Sequence, residues 1–218
     1  MSLSRLSVPR RGFLFAGGAL ALTAPFPAIA QRADAAVKAP LDLLMAEQAL
    51  PDLWIGDPKA PVTIIEYASM TCSHCADFTV KTLPLLKANY IDKGKVRFVL
   101  REFPLDPLAA AGAMLARCSG DKREALVELL FQQQANWAFV NDPLEALQNV
   151  VKQTGMGKTQ FEACLNDQGL FDKVSAERDL AGKTFKVNST PTFFINGDKR
   201  PGEIMPQALD ETLAPYLK

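Results

Sequence analysis

The chain has 218 residues, with 24 basic and 24 acidic side chains, so its formal net charge is zero. Hydrophobic residues make up 48% of the chain, enough to bury a core without depending on disulfides for folding. No run of basic residues is present, which argues against a nucleic acid or an anionic membrane surface as the partner.

Residues 1–30 have the three-part layout of a secretory signal peptide. Three arginines and no acidic residue accompany an apolar stretch that ends in Ala28-Ile29-Ala30, a small-x-small cleavage site. A buried N-terminal helix and an uncleaved membrane anchor are the alternatives. The apolar run is shorter than the ~20 residues of a spanning helix, and Pro25 and Pro27 interrupt it. We therefore predict export and cleavage near residue 30.

The export route stays open between two pathways. Arg10-Arg11-Gly12-Phe13-Leu14 resembles a twin-arginine signal, but Pro9 stands where Ser or Thr is usual and no Lys follows. Removal of residues 1–30 leaves 188 residues with 21 basic and 24 acidic side chains. That length predicts a single domain, which we place at residues 51–218 after an N-terminal extension at 31–50.

The first elements of that domain predict a βαβ unit. A short helix is expected around residues 41–45, and residues 62–67 are β-branched and aromatic, as in a buried strand. Residues from 73 to about 91 are helical in composition, with Pro84 predicting a kink. Residues 96–102 form the next predicted strand, which should run parallel to the first.

Residues from about 107 to about 186 show helical signals only. Leucines recur there at helical spacing in two groups: Leu126, Leu129 and Leu130, then Leu144 and Leu147 with Val151. Residues 192–195 return to strand, Asn196-Gly197 predicts a hairpin turn, and residues 206–217 predict a closing amphipathic helix. The fold class is therefore α/β, with a helical insertion at about 107–186.

Four cysteines need a chemical or structural explanation: Cys72, Cys75, Cys118 and Cys164. They allow three pairings, and only one of these keeps the two close neighbours together. That pairing joins Cys118 to Cys164 and predicts a structural disulfide within the insertion. Two buried free cysteines are the alternative.

The Cys72-Ser73-His74-Cys75 motif predicts thiol–disulfide exchange. Cys72 falls at the start of a helix, where the free N–H groups and the dipole favour a thiolate and lower its pKa. Cys75, one turn later, can close a ring with Cys72 and resolve a mixed disulfide. A protonated His74 would stabilise the thiolate further, and a stabilised reduced form makes the disulfide a strong oxidant.

Other uses of this motif fit less well. A structural zinc site needs four ligands, and His74 is the sole histidine, so no metal is predicted. A Cys-His hydrolase needs a separately positioned base, which a histidine two residues from Cys72 cannot be.

Residues 66–75 (EYASMTCSHC) and 189–194 (STPTFF) resemble the DsbA family of periplasmic dithiol oxidases, which have a thioredoxin-like fold with a helical insertion. The resemblance implies that Pro191 is a cis proline facing the cysteines and that the backbone of Thr190 pairs with an extended substrate. It also implies that Glu66 is a buried acid that moves protons; a strand glutamate paired to a lysine is the alternative. Ser73 departs from the Pro-His dipeptide of many members while His74 is kept, which leaves the redox potential open.

The same resemblance implies the partners. The substrates would be reduced or unfolded exported proteins in the periplasm, a quinone-linked membrane oxidase would regenerate the disulfide, and no bound organic cofactor would be needed. An isomerase or reductase of the same superfamily usually adds an N-terminal oligomerisation region, for which residues 31–50 offer little. A non-catalytic metal-binding or chaperone module is a third reading. We expect a monomeric oxidase.

Overall fold

The computed structural model describes residues 38–218, so the predicted signal peptide and the first part of the extension lie outside the described residues. Four strands form one mixed sheet in the order β2-β1-β3-β4. They are β1 (Val62–Ala68), β2 (Val96–Glu102), β3 (Thr192–Ile195) and β4 (Asp198–Pro201). The strand β1 runs parallel to β2 and antiparallel to β3, and β3 runs antiparallel to β4. The predicted βαβ unit and the hairpin after it are confirmed.

The helices follow the predicted order. They are α1 (Leu41–Leu44), α2 (residues 73–91), α3 (Pro107–Cys118), α4 (Arg123–Gln132), α5 (Gln134–Trp137), α6 (Pro143–Lys152), α7 (Lys158–Leu165), α8 (Gln168–Thr184) and α9 (Leu209–Leu213). The helices α3 to α8 lie between β2 and β3 and make up the predicted insertion. No helix within residues 38–218 is long and apolar enough to cross a membrane.

The helix α2, which carries the cysteine motif, contains two π-helical stretches. Its α-helical parts are Ser73–Asp77 and Leu83–Leu86, and the π-helical parts are Phe78–Thr82 and Lys87–Ile91. Pro84 lies just after the first π stretch and cannot donate a backbone hydrogen bond to the preceding turn. Wider π turns beside it are a known way for a helix to absorb such a break.

The two faces of the sheet are covered by different elements. Ile64 and Phe193 pack against α2 and α9, whereas Ile65 and Phe194 pack against the end of α8 and the N-terminal segment. Every residue of β1 is buried, as expected for a central strand covered on both faces.

The insertion has its own core, and this core includes Trp137 and the motif residue Cys75. Cys118, at the end of α3, and Cys164, in α7, are joined by a disulfide with a Cα–Cα distance of 6.1 Å. Leu147 and Val151 of α6 are buried, but Leu144 is 49% exposed. Leu144 lies in the first turn of α6, at the exposed end of the helix face that it shares with Leu147 and Val151.

The prediction of one continuous helix over residues 206–217 is wrong in detail. This segment consists of a 3₁₀ turn at Pro206–Ala208, the short helix α9, and a second 3₁₀ turn at Ala214–Tyr216. Pro215 lies inside the last turn and cannot continue the α-helical hydrogen bonding. At the other end of the described chain, Ala39 donates a backbone hydrogen bond to Gly197 O, and Leu44 is fully buried. Residues 38–50 thus pack as part of the domain.

Candidate active site

The two motif cysteines lie at the start of α2, directly after β1. Cys72 is the N-cap of the helix and is half-buried, whereas Cys75 is fully buried; both are free thiols. Backbone bonds from Cys72 N to Ser69 O (3.0 Å) and from Ala76 N to Cys72 O (3.1 Å) close the turn that presents the motif. One sulfur is therefore accessible and the other is enclosed.

Several hydrogen bonds hold the pKa of Cys72 well below that of an ordinary thiol, at about 5. The largest contribution is a hydrogen bond from the Cys75 thiol, and burial opposes it. Thr190 and the backbone N–H groups of Cys75 and His74 add to the lowering. Those two N–H groups belong to the first turn of the helix, where a capping acceptor is favoured.

Burial has the opposite effect on Cys75 and on Glu66. Burial is the largest cause that raises the pKa of Cys75, followed by the hydrogen bond to Cys72 and the charge of Glu66. Glu66 lies on β1, on the same sheet face as Ile64, which α2 covers. Burial, with a smaller contribution from Cys72, raises the pKa of its carboxyl well above the usual range.

Neither carboxyl oxygen of Glu66 has a hydrogen-bond partner within residues 38–218. The alternative of a strand glutamate paired to a lysine is therefore not what the structure holds. Burial thus favours the protonated form of Glu66, and the charge that its carboxylate carries when ionised acts on Cys75.

The loop before β3 closes the site from the other side. The Thr190–Pro191 peptide bond is cis, and Cys72 Sγ lies 3.3 Å from the carbonyl oxygen of Thr190. The two segments that carry the resemblance, 118 positions apart in the chain, therefore meet at the reactive sulfur.

Ser73 and His74 are both exposed, and the His74 ring is engaged by a residue that sequence reasoning missed. His74 Nδ1 lies 3.1 Å from Glu203 Oε2, and the side chains are 67% and 15% exposed. The contribution of His74 to the low pKa of Cys72 comes from its backbone N–H. The expected role of the imidazole stays a prediction.

Three side chains beside the motif carry atoms of the kind that bind metals. A nitrogen of His74 and carboxylate oxygens of Asp77 and Glu203 lie within 4.8 Å of one another. Lys81 Nζ lies 2.5 Å from Asp77 Oδ1 and already neutralises that carboxylate. We therefore assign no metal to this group.

Two further residues that sequence reasoning missed fix the active-site turn to the insertion. Gln134 of α5 is buried, and its Nε2 donates to Met70 O at 2.9 Å and to Cys72 O at 3.0 Å. Asp106 caps α3 through Ala109 N and also accepts a hydrogen bond from Thr71 Oγ1 at 2.5 Å. The Asp106-Pro107 pair has the sequence pattern of a helix start, but nothing local signals either contact with the turn.

The chain matches a family model described as Thioredoxin over residues 48–214. A Wolbachia pipientis protein, alpha-DsbA1, has a similar crystal structure, with a TM-score of 0.72 and 30% identity over 81% of this chain and 95% of that chain. This confirms the predicted thioredoxin-like α/β fold.

Curated relatives carry related names. A "Putative protein-disulfide oxidoreductase" of Rickettsia typhi is 35% identical over 67% of this chain and 55% of its own length, so the chain spans little more than half of that relative. A "Probable disulfide bond formation protein D" of Bacillus cereus is 30% identical over 73% of this chain and 77% of its own length. The chain therefore belongs to the thioredoxin family and, within it, to the DsbA-type thiol–disulfide oxidoreductases.

Proposed function

We propose that this protein is an exported dithiol oxidase that introduces disulfides into reduced or unfolded proteins, with Cys72 and Cys75 as its catalytic residues. The observation that carries the proposal is the contrast between the two sulfurs. Cys72 is accessible and has a pKa of about 5, while Cys75 is enclosed and its pKa is raised. A thiol with the pKa of Cys72 is about 99% ionised at pH 7.

The reaction starts from the Cys72–Cys75 disulfide. A substrate thiolate attacks Cys72 Sγ, the bond between the two motif sulfurs breaks, and Cys75 leaves with the electron pair. Because burial disfavours the Cys75 thiolate, it takes up a proton, and the carboxyl of Glu66 is the nearby group whose raised pKa lets it supply one. Thr190 and Pro191 flank Cys72 and would align an extended substrate segment.

The second step releases the product. Another substrate thiolate attacks the substrate sulfur of the mixed disulfide, which forms the new disulfide and expels Cys72. Two electrons have then moved from the substrate to the protein. Because the leaving Cys72 thiolate is stabilised, the exchange favours oxidised substrate. Regeneration would come from a quinone-linked membrane oxidase, and export through the predicted signal peptide would bring the protein to the periplasm.

The first test follows the ionisation of Cys72 by thiolate absorbance in the fully reduced protein. We expect a midpoint near 5 that disappears in Cys72→Ser. Given a peptide in its disulfide form, Cys75→Ser should accumulate a mixed disulfide at Cys72, because the Cys72 thiolate attacks the peptide disulfide and expels a peptide thiolate. A midpoint near the ~8.5 of a free thiol, or trapping at Cys75 in the matched Cys72→Ser protein, would refute the assigned roles.

The second test fixes the direction of exchange. We expect a monomer by light scattering that oxidises a reduced test protein faster than it reshuffles a scrambled one. A stable dimer or trimer that reshuffles strongly and oxidises weakly would identify an isomerase instead.

A further inference from the structure

Residues 202–204 connect the loop of Pro191 to the helix α2. Gly202, at φ +91°, donates its backbone N–H to Pro191 O at 2.9 Å. Ile204 is buried, and its carbonyl oxygen accepts a hydrogen bond from Thr82 Oγ1 of α2 at 2.9 Å. The backbone on each side of Glu203 is therefore anchored, one side to the cis-proline loop and the other to the active-site helix.

The anchored backbone gives the Glu203 carboxylate a fixed place beside the motif. Its side chain is only 15% exposed, whereas the His74 ring that it contacts at 3.1 Å is 67% exposed. The exposed ring can adopt many orientations. An acceptor that is already held in place favours one of them and loses little entropy of its own when the contact forms. Because a carboxylate can only accept, this hydrogen bond requires a proton on Nδ1, which fixes the tautomer of the imidazole.

The other charged groups near this pair are already matched. Asp77 lies one turn from His74 on α2, and Lys81 Nζ is 2.5 Å from its carboxylate. Lys81 also lies close enough for the charge of Glu203 to act on it. Glu203 is thus the carboxylate in hydrogen-bond contact with the ring of His74, while Asp77, also within 4.8 Å of the ring, is paired with Lys81.

Building on the thiol–disulfide exchange proposed above, we infer that Glu203 is a positioning residue that holds the His74 imidazole and offsets its positive charge, which limits how strongly that ring stabilises the thiolate of Cys72. Glu203 would thereby set the oxidising strength of the motif. When the ring is protonated, loss of Glu203 leaves its positive charge without the carboxylate that contacts it. Removal of the carboxylate should therefore stabilise the thiolate further.

The test is the thiolate titration of the reduced full chain carrying Glu203→Gln, in the presence of a chelator. We expect the pKa of Cys72 to fall by about 0.3 to 0.7, a two- to fivefold change in its ionisation constant, the range typical of exposed ion pairs. The exposed glutamate of α9 supplies the matched control, because Glu211→Gln removes a carboxylate remote from the motif and should leave the midpoint unchanged.

The same substitution in a His74→Ser background separates positioning from a direct charge effect. There Glu203→Gln should change the ionisation constant by less than about 1.5-fold, because the ring through which Glu203 acts is gone. If Glu203→Gln folds poorly, Glu203→Asp, which withdraws the carboxylate by one methylene, should move the midpoint in the same direction by less.

The outcomes distinguish this inference from the proposed function. A wild-type midpoint near 5 that Glu203→Gln leaves unchanged or raises, or a shift that persists without His74, overturns the role of Glu203 and leaves the oxidase proposal intact. A wild-type midpoint near that of a free thiol overturns the proposed function itself.

Discussion

At the scale of single residues, burial sorts the ionisable groups of the site into different tasks. Cys72 is half-buried with donors around it and holds a thiolate, whereas Cys75 and Glu66 are fully buried and disfavour charge. A proton therefore belongs on Cys75 whenever the disulfide opens, and it must leave when the disulfide closes. Glu66 is the acid whose charge acts on that sulfur.

This reasoning predicts that Glu66→Gln slows the steps in which Cys75 gains or loses a proton. We expect closure of the disulfide from a mixed disulfide to slow by about 10- to 100-fold near pH 7, a moderate general acid–base effect. The reactivity of the Cys72 thiolate itself, measured as the rate of alkylation of the reduced protein, should change little. Rapid-mixing fluorescence measures the rate of disulfide closure, and a separate assay measures the rate of alkylation. Glu211→Gln is the control for both. Equal slowing of both steps would mean that Glu66 acts only through the fold.

Some residues of the site can be identified from a short sequence motif, whereas others are brought to the site only by long-range contacts. Cys72 and Cys75 are recognisable because their chemistry depends on a four-residue spacing, and Thr190-Pro191 because its short motif resembles a known loop. The other contacts of the site join residues that are far apart in the chain. They are Cys72 with Gln134 (62 positions), Thr71 with Asp106 (35 positions) and His74 with Glu203 (129 positions). Only the folded backbone brings such pairs together, so one sequence could not predict them.

At the scale of elements, β1, β2 and β3 were predicted almost to the residue because their β-branched and aromatic runs are local signals, whereas β4 was implied only by the hairpin turn before it. The helices were predicted in place but less well in type. Pro84 indicates a break in α2, yet composition does not say that two π stretches would absorb it. Near the C-terminus, Pro215 converts the end of a predicted helix into a 3₁₀ turn.

The disulfide between α3 and α7 gives a prediction at this scale. Its cysteines are 46 positions apart, and the chain-entropy model assigns a loop of that length up to about 4 kcal/mol. We expect the Cys118→Ala/Cys164→Ala protein to lose about 2–4 kcal/mol of unfolding free energy in urea while keeping the low midpoint of Cys72. The single variant Cys118→Ala is the matched control and should be at least as destabilised. Unchanged stability in the double variant would mean that the bridge contributes nothing to folding.

At the scale of the whole molecule, a buried ion network joins the N-terminal segment to the sheet and the insertion. Glu102 at the end of β2 binds Arg117 of α3 and Arg123 of α4, and both arginines also donate to Pro51 O. Glu177 of α8 accepts a hydrogen bond from Leu50 N at 2.7 Å. Four separate elements therefore meet through charges that are taken out of water, an arrangement that makes stability depend on pH.

Within this network the charge of Glu177 is the poorly compensated one. Burial, followed by the repulsion of Glu102, raises the pKa of Glu177 to about 7, although Leu50 N and Arg117 act in the opposite sense. The unfolded chain ionises this glutamate near pH ~4.3. As the pH rises from there to about 7, the unfolded state releases the proton first, so folding stability falls through that window.

Glu177→Gln should remove this fall in folding stability with rising pH, because the amide carries no charge. Its oxygen can still accept the hydrogen bond from Leu50 N. Against the wild type, we expect its unfolding free energy to gain about 2–3 kcal/mol between pH 4.5 and pH 7.5. Urea unfolding at half-unit pH steps measures the difference, and Glu47→Gln, at an exposed position of the same N-terminal segment, should run parallel to the wild type. Parallel curves for Glu177→Gln would mean that Arg117, 3.9 Å from its carboxylate, fully compensates the buried charge. The ion network would then hold the N-terminal segment with its charges fully compensated, and ionisation of Glu177 would not lower folding stability toward neutral pH.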